Sequence, residues 1–307
     1  MAVQSNSNQP ISRRTQIIIA FGAVYLIWGS TYLAIRFTIE TLPPFLSAGL
    51  RFLLAGLILY AFARYKKKES APTIKHWQSA FIIGGFLLLG GNGCVVWAER
   101  IVPSGLAALF IAVTPLWMVL LEWCWHETKR PSMGVFIGIA IGFFGVWLLI
   151  KPGSIDLSGA MLLLFASLSW ATGSVYSRKA DLPQSSFLST AMQMIGGGIL
   201  LMVMGVVQGE ITRFHVMNFS IKSITAWAYL IMVGSLLGYT AYLWLLKNVG
   251  VARASTYAFV NPIVAIFLGW LLAGEKLSAQ TAIAGIFVLV AVIVITIYHK
   301  EPEKSKG

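Results

Sequence analysis

Residues 17–37 read IIIAFGAVYLIWGSTYLAIRF, with a single charge, Arg36, next to the end. A run this long exceeds the core of a signal peptide and matches the roughly 20 residues that cross a hydrocarbon core about 30 Å thick. It predicts an uncleaved first membrane span. Nine further runs read the same way: Phe45–Ala63, Trp77–Trp97, Ser104–Cys124, Met133–Ile150, Leu157–Tyr176, Ser186–Val207, Ser223–Leu246, Val251–Ala273 and Thr281–Tyr298. Barrel strands would alternate polar and apolar over about ten residues. These runs do not, so ten transmembrane helices are predicted, with short connections forcing antiparallel neighbours. The 307 residues are 57% hydrophobic and only 11% charged, about half the charged share of a globular domain. Such a chain has too little polar surface for water and takes the lipid bilayer as its solvent.

The net charge of +12 does not point to nucleic acid, because the basic residues lie in short loops between apolar runs and form no continuous face. They act as topology signals. With the N-terminus inside, the inner segments hold sixteen Lys and Arg, among them Arg64, Lys66, Lys67, Lys68, Arg178 and Lys179, and the outer segments hold six. Both termini are therefore expected in the cytoplasm. Cys94 and Cys124 fall inside spans without redox or metal-ligand spacing, so neither a disulfide nor a metal is expected.

The chain also repeats itself. Trp28 and Arg36 recur as Trp170 and Arg178, Leu46-Ser47 as Leu188-Ser189, and Gly56 as Gly198, all at an offset of 142. Trp97, Pro115, Trp123 and Gly138 recur as Trp244, Pro262, Trp270 and Gly285 at an offset of 147, which places a five-residue insertion after the second span of the second half. Each half carries five spans, and an odd number turns the second half over, giving two inverted repeats. The expected organisation is a cytoplasmic tail (1–16), a first five-helix repeat (17–150), a second (157–298) and a cytoplasmic C-terminal tail (299–307).

Trp28-Gly29-Ser30-Thr31, Gly91-Asn92-Gly93, Ala98-Glu99, Val102-Pro103-Ser104-Gly105, Thr114-Pro115, Asn261-Pro262 and Gly274-Glu275 together resemble the EamA family of the drug/metabolite transporter superfamily, in particular its YedA-type bacterial exporters. The resemblance covers about residues 16–298. It implies ten helices around a central cavity lined mainly by spans 1, 3, 4, 6, 8 and 9, location in the bacterial inner membrane, and efflux of small metabolites without a cofactor. The cavity lining and the direction rest on the resemblance and not on composition.

Catalytic machinery is not apparent. All four histidines and both aspartates, Asp156 and Asp181, lie in or near loops, so no membrane-embedded Ser–His or paired-Asp centre can form, and no phosphate loop or zinc spacing occurs. Polar and aromatic residues near mid-membrane are the better lead. Trp28 and Tyr32 share a face of span 1, Trp170 and Ser174 a face of span 6, and Tyr257 and Asn261 a face of span 9 just before Pro262. Asn92 lies deep in span 3, Thr114 and Pro115 interrupt span 4, and Tyr239 in span 8 aligns with Asn92. These ten residues are the candidate substrate-binding set. The alternative is interhelical glue for the amides and hydroxyls, and interface belts for the rings, Trp77, Trp147 and Trp227 above all. Arg51 either snorkels outward or pairs with Glu99, and Glu99 is either a proton site or half of an outer gate. Glu122, near the inner end of span 4, is with Glu99 one of the two carboxylates nearest the membrane interior, exposure at the cytoplasmic interface being the alternative. The expectation is a secondary transporter for uncharged or zwitterionic solutes, with the proton as candidate coupling ion, acting as a monomer or weak dimer. A membrane assembly protein without transport is the alternative from another class.

Overall fold

The structure, a computed structural model, describes residues 12–125, 131–150, 156–214, 216–249 and 251–298. Lys129, Arg130, Lys151 and the C-terminal lysines used in the charge count lie outside the described residues, as do His126, Glu127, His215 and His299. Among the described residues there is no strand. The ten apolar runs appear as α1 (Arg13–Thr38), α2 (Pro44–Lys66), α3 (Ile74–Ala98), α4 (Ser104–Trp125), α5 (Met133–Ile150), α6 (Leu157–Ser177), α7 (Ser186–Val207), α8 (Ile221–Val249), α9 (Tyr257–Ala273) and α10 (Ala279–Tyr298). The first eight are long and apolar enough to cross a membrane, and α9 and α10 carry shorter apolar stretches. The chain is thus an all-α membrane protein.

Local chemistry sets the ends of these helices. A helix N-terminus leaves four N–H groups unpaired, and a nearby oxygen is needed to satisfy them. Thr73 caps α3 by accepting from the His76 N–H at its hydroxyl, and its own N–H donates in return to His76 Nδ1. Asp156 caps α6 by accepting from the N–H groups of Ser158 and Gly159, which holds its carboxyl below the usual range, the Ser158 hydroxyl being the largest cause. Ser185 caps α7, with its hydroxyl donating to Glu69, and Ser220 caps α8. Carboxylates from distant loops cap two others. Glu210 accepts from Phe45 N at 3.1 Å and Leu46 N at 2.8 Å at the start of α2. Glu275 accepts from Ser104 N at 2.8 Å and Gly105 N at 3.1 Å at the start of α4.

Three spans are irregular inside. α3 widens to π-helical turns over Gly85–Gly93, and α8 over Leu230–Tyr239, the position 147 residues on give or take two. Such bulges are rare and concentrate at functional sites. α4 breaks at Ala112–Val113, where Thr114 Oγ1 donates back to Ile111 O at 2.6 Å and Pro115 opens the following segment. The predicted ninth span is divided: a short turn of helix, Val251–Ala254, precedes α9, and Pro262 lies inside α9 itself.

Packing follows the repeat. α2 lies along α7 and α5 along α10; α1 packs on α8 and α9, while α6 packs on α3 and α4, the same pattern with the halves exchanged. Glycine permits the closest crossing: a Cβ on Gly198 in α7 would stand 2.8 Å from the backbone nitrogen of Leu53 in α2. Backbones this close maximise van der Waals contact where lipid removes the hydrophobic drive between helices.

Candidate functional site: a repeat-related aromatic centre

α1, α6, α8 and α9 turn rings toward one another at the middle of the bundle. The Trp28 ring meets Trp170 edge-on with centroids 5.4 Å apart, Tyr242 at 4.7 Å and Tyr257 at 5.2 Å. Trp170 in turn lies 5.6 Å from Tyr242 and 6.3 Å from Tyr239, and Tyr242 lies 5.6 Å from Tyr257. Edge-on and tilted pairs are each worth about 0.5–1.5 kcal/mol beyond the area they bury. The two tryptophans are repeat mates, and so are the glycines they lie on. A Cβ on Gly238 in α8 would be 2.7 Å from Trp28 Nε1, and a Cβ on Gly91 in α3 would be 2.7 Å from Trp170 Cε3. Gly91 and Gly238 are themselves 147 residues apart and lie in the two π-helical stretches.

Hydrogen bonds fix the cluster. Trp170 Nε1 donates to Tyr242 Oη at 3.1 Å, and Ser174 Oγ shares a 2.7 Å bond with the same hydroxyl. Tyr239 Oη donates to Gln193 Oε1 at 3.3 Å. Asn261, with its amide turned to donate, reaches the carbonyls of Tyr25 at 3.0 Å and Tyr257 at 3.2 Å. The buried Asn92 Oδ1 accepts nothing among the described residues. Trp28, Tyr32, Trp170, Ser174, Tyr239, Tyr257 and Asn261 thus lie in or beside one cluster. Thr114 and Pro115 instead shape the break in α4. Tyr242, fully buried, is the hub of the cluster; its spacing from Tyr239 was the only sequence signal for it.

The centre is filled by these side chains. Four large aromatics converge where these helices cross, so the middle of the bundle is packed with rings in this form. Two voids are lined by other residues. One of about 10 Å³ sits beside Arg51, and an open flank groove of about 430 Å³ runs between α1, α8 and α9.

Ion pairs stand at both ends of the bundle. At one end Arg36 Nε lies 3.6 Å from Glu275 Oε1, and Arg36 Nη1 donates to the carbonyl of Glu99. At the other, Arg178 Nη1 lies 2.5 Å from Glu122 Oε1. Arg36 and Arg178 are repeat mates, and each ties the end of its half's first helix to a carboxylate in or just after the fourth span of the other half. Glu122 is buried and paired, not exposed at an interface, since Arg178 covers it. The pairing of Arg51 with Glu99 is not formed: Arg51 Nε donates to Ser235 Oγ at 2.8 Å, and its guanidinium stacks 4.4 Å over Phe52. Glu99 is buried, and both its oxygens accept nothing among the described residues. Burial first, then the neighbouring Glu275, push its carboxyl well above the usual range, with Arg36 opposing. Trp227, expected in an interface belt, donates to Ser47 O at 2.8 Å, whereas Trp147 is exposed as a belt residue would be.

Comparison with known proteins agrees with this architecture. The EamA-like transporter family matches the chain twice, at residues 15–151 and 157–297. The inner membrane transporter YedA of Escherichia coli (strain K12) is 38% identical over 292 residues, covering 93% of each chain. The transporter YoaV of Bacillus subtilis (strain 168) is 20% identical, covering 92% of this chain and 97% of its own. A crystal structure with 19% identity superposes with a TM-score of 0.66 over 93% of this chain and 99% of that one, which speaks for the fold. The doubled match, the full-length coverage and the ten apolar helices place this chain in the EamA-like transporter family, as a multi-pass membrane transporter of small molecules.

Proposed function

We propose that the protein is a secondary transporter that exports small, mostly uncharged or zwitterionic metabolites across the bacterial inner membrane by alternating access. In this reading the aromatic centre is the substrate site, held in a closed form. The carrying observation is the paired arrangement at that centre: Trp28 on Gly238 and Trp170 on Gly91, repeat mates lying against repeat mates. Two inverted halves, 17–150 and 157–298, would make these contacts equivalent. Rocking one half on the other then opens either side in turn. The pairs Arg36–Glu275 and Arg178–Glu122, whose arginines are repeat mates, serve as latches at the outer and cytoplasmic ends. Glu99 is the candidate proton site for coupling, being a buried carboxyl beside the Arg36 latch. No catalytic step is involved.

The test is counterflow in proteoliposomes with radiolabelled amino acids and neutral amphipathic solutes. A saturable flux by the wild-type chain, lost in Trp28→Ala/Trp170→Ala with the fold retained, is the expected result. Wild-type flux in that double variant would sink the assignment of the site. The packed centre favours one second reading, a membrane-embedded assembly protein without transport, for which no solute would exchange.

A further inference from the structure

Arg51 lies within α2 and is 4% exposed, yet it has no counter-ion among the described residues. Among the described residues no carboxylate stands within ion-pair distance of it. Its recorded contacts are the hydrogen bond from Nε to Ser235 Oγ and the ring of Phe52. An intramembrane guanidinium with a single neutral partner is costly, and such residues are normally paired or face a substrate path. The repeat mate shows the contrast. Gln193 is neutral and its amide is satisfied internally, Nε2 donating to Ser189 Oγ at 3.1 Å and Oε1 accepting from Tyr239.

Arg51 fronts a small cavity of about 10 Å³, room for a single water, that it lines with Ile35, Thr38, Ser47, Val96 and Trp227. The other polar groups there are already engaged: Thr38 Oγ1 donates to Ala34 O, Ser47 Oγ to Pro44 O, and Trp227 Nε1 to Ser47 O. The guanidinium is therefore the group in this cavity with donors to spare, five N–H groups in a planar fork matched to a carboxylate. The Arg51 side chain itself reaches toward the aromatic centre. Ser235 is one turn from Tyr239 in α8, and Phe52, next to Arg51, lies 6.2 Å from the Tyr239 ring.

We infer that Arg51 is a carboxylate-binding site on the substrate path, so that the transporter selects solutes with a carboxylate at one end and an apolar body at the other. When the bundle opens, the carboxylate displaces the water-sized void and takes the open face of the guanidinium, and the body seats against the rings. This rests on the aromatic centre being the substrate site, as proposed above.

The experiment is calorimetric titration of the full chain in nanodiscs at pH 7 with 3-phenylpropionate and its neutral isostere 3-phenylpropanamide. The wild-type chain is expected to bind the carboxylate about tenfold more tightly than the amide. Arg51→Gln is expected to bind both with the affinity the wild type shows for the amide, and Arg51→Lys to keep part of the preference. Equal affinity of the wild type for the two probes overturns the inference while leaving the aromatic site standing. So does an undiminished preference in folded Arg51→Gln. If that variant does not fold, Ser235→Ala, which frees the guanidinium from its anchor, is expected to shrink the ratio, and an unchanged ratio counts against Arg51. Binding of neither probe removes the aromatic site and this inference with it.

Discussion

Glu99 buries a carboxyl whose oxygens accept no hydrogen bond among the described residues, so the neutral form is the one the fold tolerates. A carboxyl whose value is raised on folding binds more protons folded than unfolded. The stability it supports is full below the ordinary carboxyl range and is lost as pH rises toward the raised value. Thermal unfolding of the purified chain should therefore shift to lower temperature as pH rises through that window, and Glu99→Gln should flatten the dependence; an equal slope in the variant would remove Glu99 from the account. Tyr242 is the second residue with a sharp consequence. Its hydroxyl is the acceptor for Trp170 Nε1 and a partner of Ser174. Tyr242→Phe keeps the ring but strands a buried indole N–H, which costs about 1–3 kcal/mol. A melting temperature equal to wild type would show that the bond is replaced by another acceptor.

Helix crossings and latches act at the scale of elements. Gly198→Ala drives a methyl into the α2 backbone, an overpacking worth about 1–3 kcal/mol, whereas Gly22→Ala, with nothing within 4 Å of the added Cβ, should stay near neutral. Equal melting temperatures for the two variants would contradict the crossing described here. The latches make a directional prediction. With Cys94 and Cys124 replaced by Ser, a cysteine at Asn261 should react faster with a membrane-impermeant thiol reagent from the cytoplasmic side in Arg178→Ala, and faster from the opposite side in Arg36→Ala. Equal effects of both variants on one side would refute the pairing of latches with ends. The sequence made the elements legible because membrane thickness sets one length for every span, and the repeat made Trp28 and Trp170 stand out. It concealed the partners. Arg36 and Arg178 were visible as repeat markers and Glu275 as part of a motif, but ion pairing depends on which helix ends meet. The same holds for Arg51, which reaches Ser235 across α8 and not Glu99. The π-helical stretches in α3 and α8 had only their glycine density as a signal, and that density equally fits close packing.

At the scale of the whole molecule, the sixteen-to-six bias of Lys and Arg is the ground for proposing that both termini lie in the cytoplasm. Reporters active only outside the cytoplasm should be silent when fused to either terminus, and activity at the C-terminus would contradict the topology. The arrangement of the halves makes a stronger demand. If the two repeats rock about the Trp28–Trp170 contact, the centre must be reached from both sides of the membrane, although it is closed in the form described. Asn92, in the π-helical stretch of α3 beside Trp170's seat on Gly91, is the position to probe. The measurement is labelling of Asn92→Cys, in the chain lacking Cys94 and Cys124, by an impermeant thiol reagent applied separately to right-side-out and inside-out vesicles. Alternating access predicts modification from each side; modification from neither side, or from one alone, in a folded chain would contradict it.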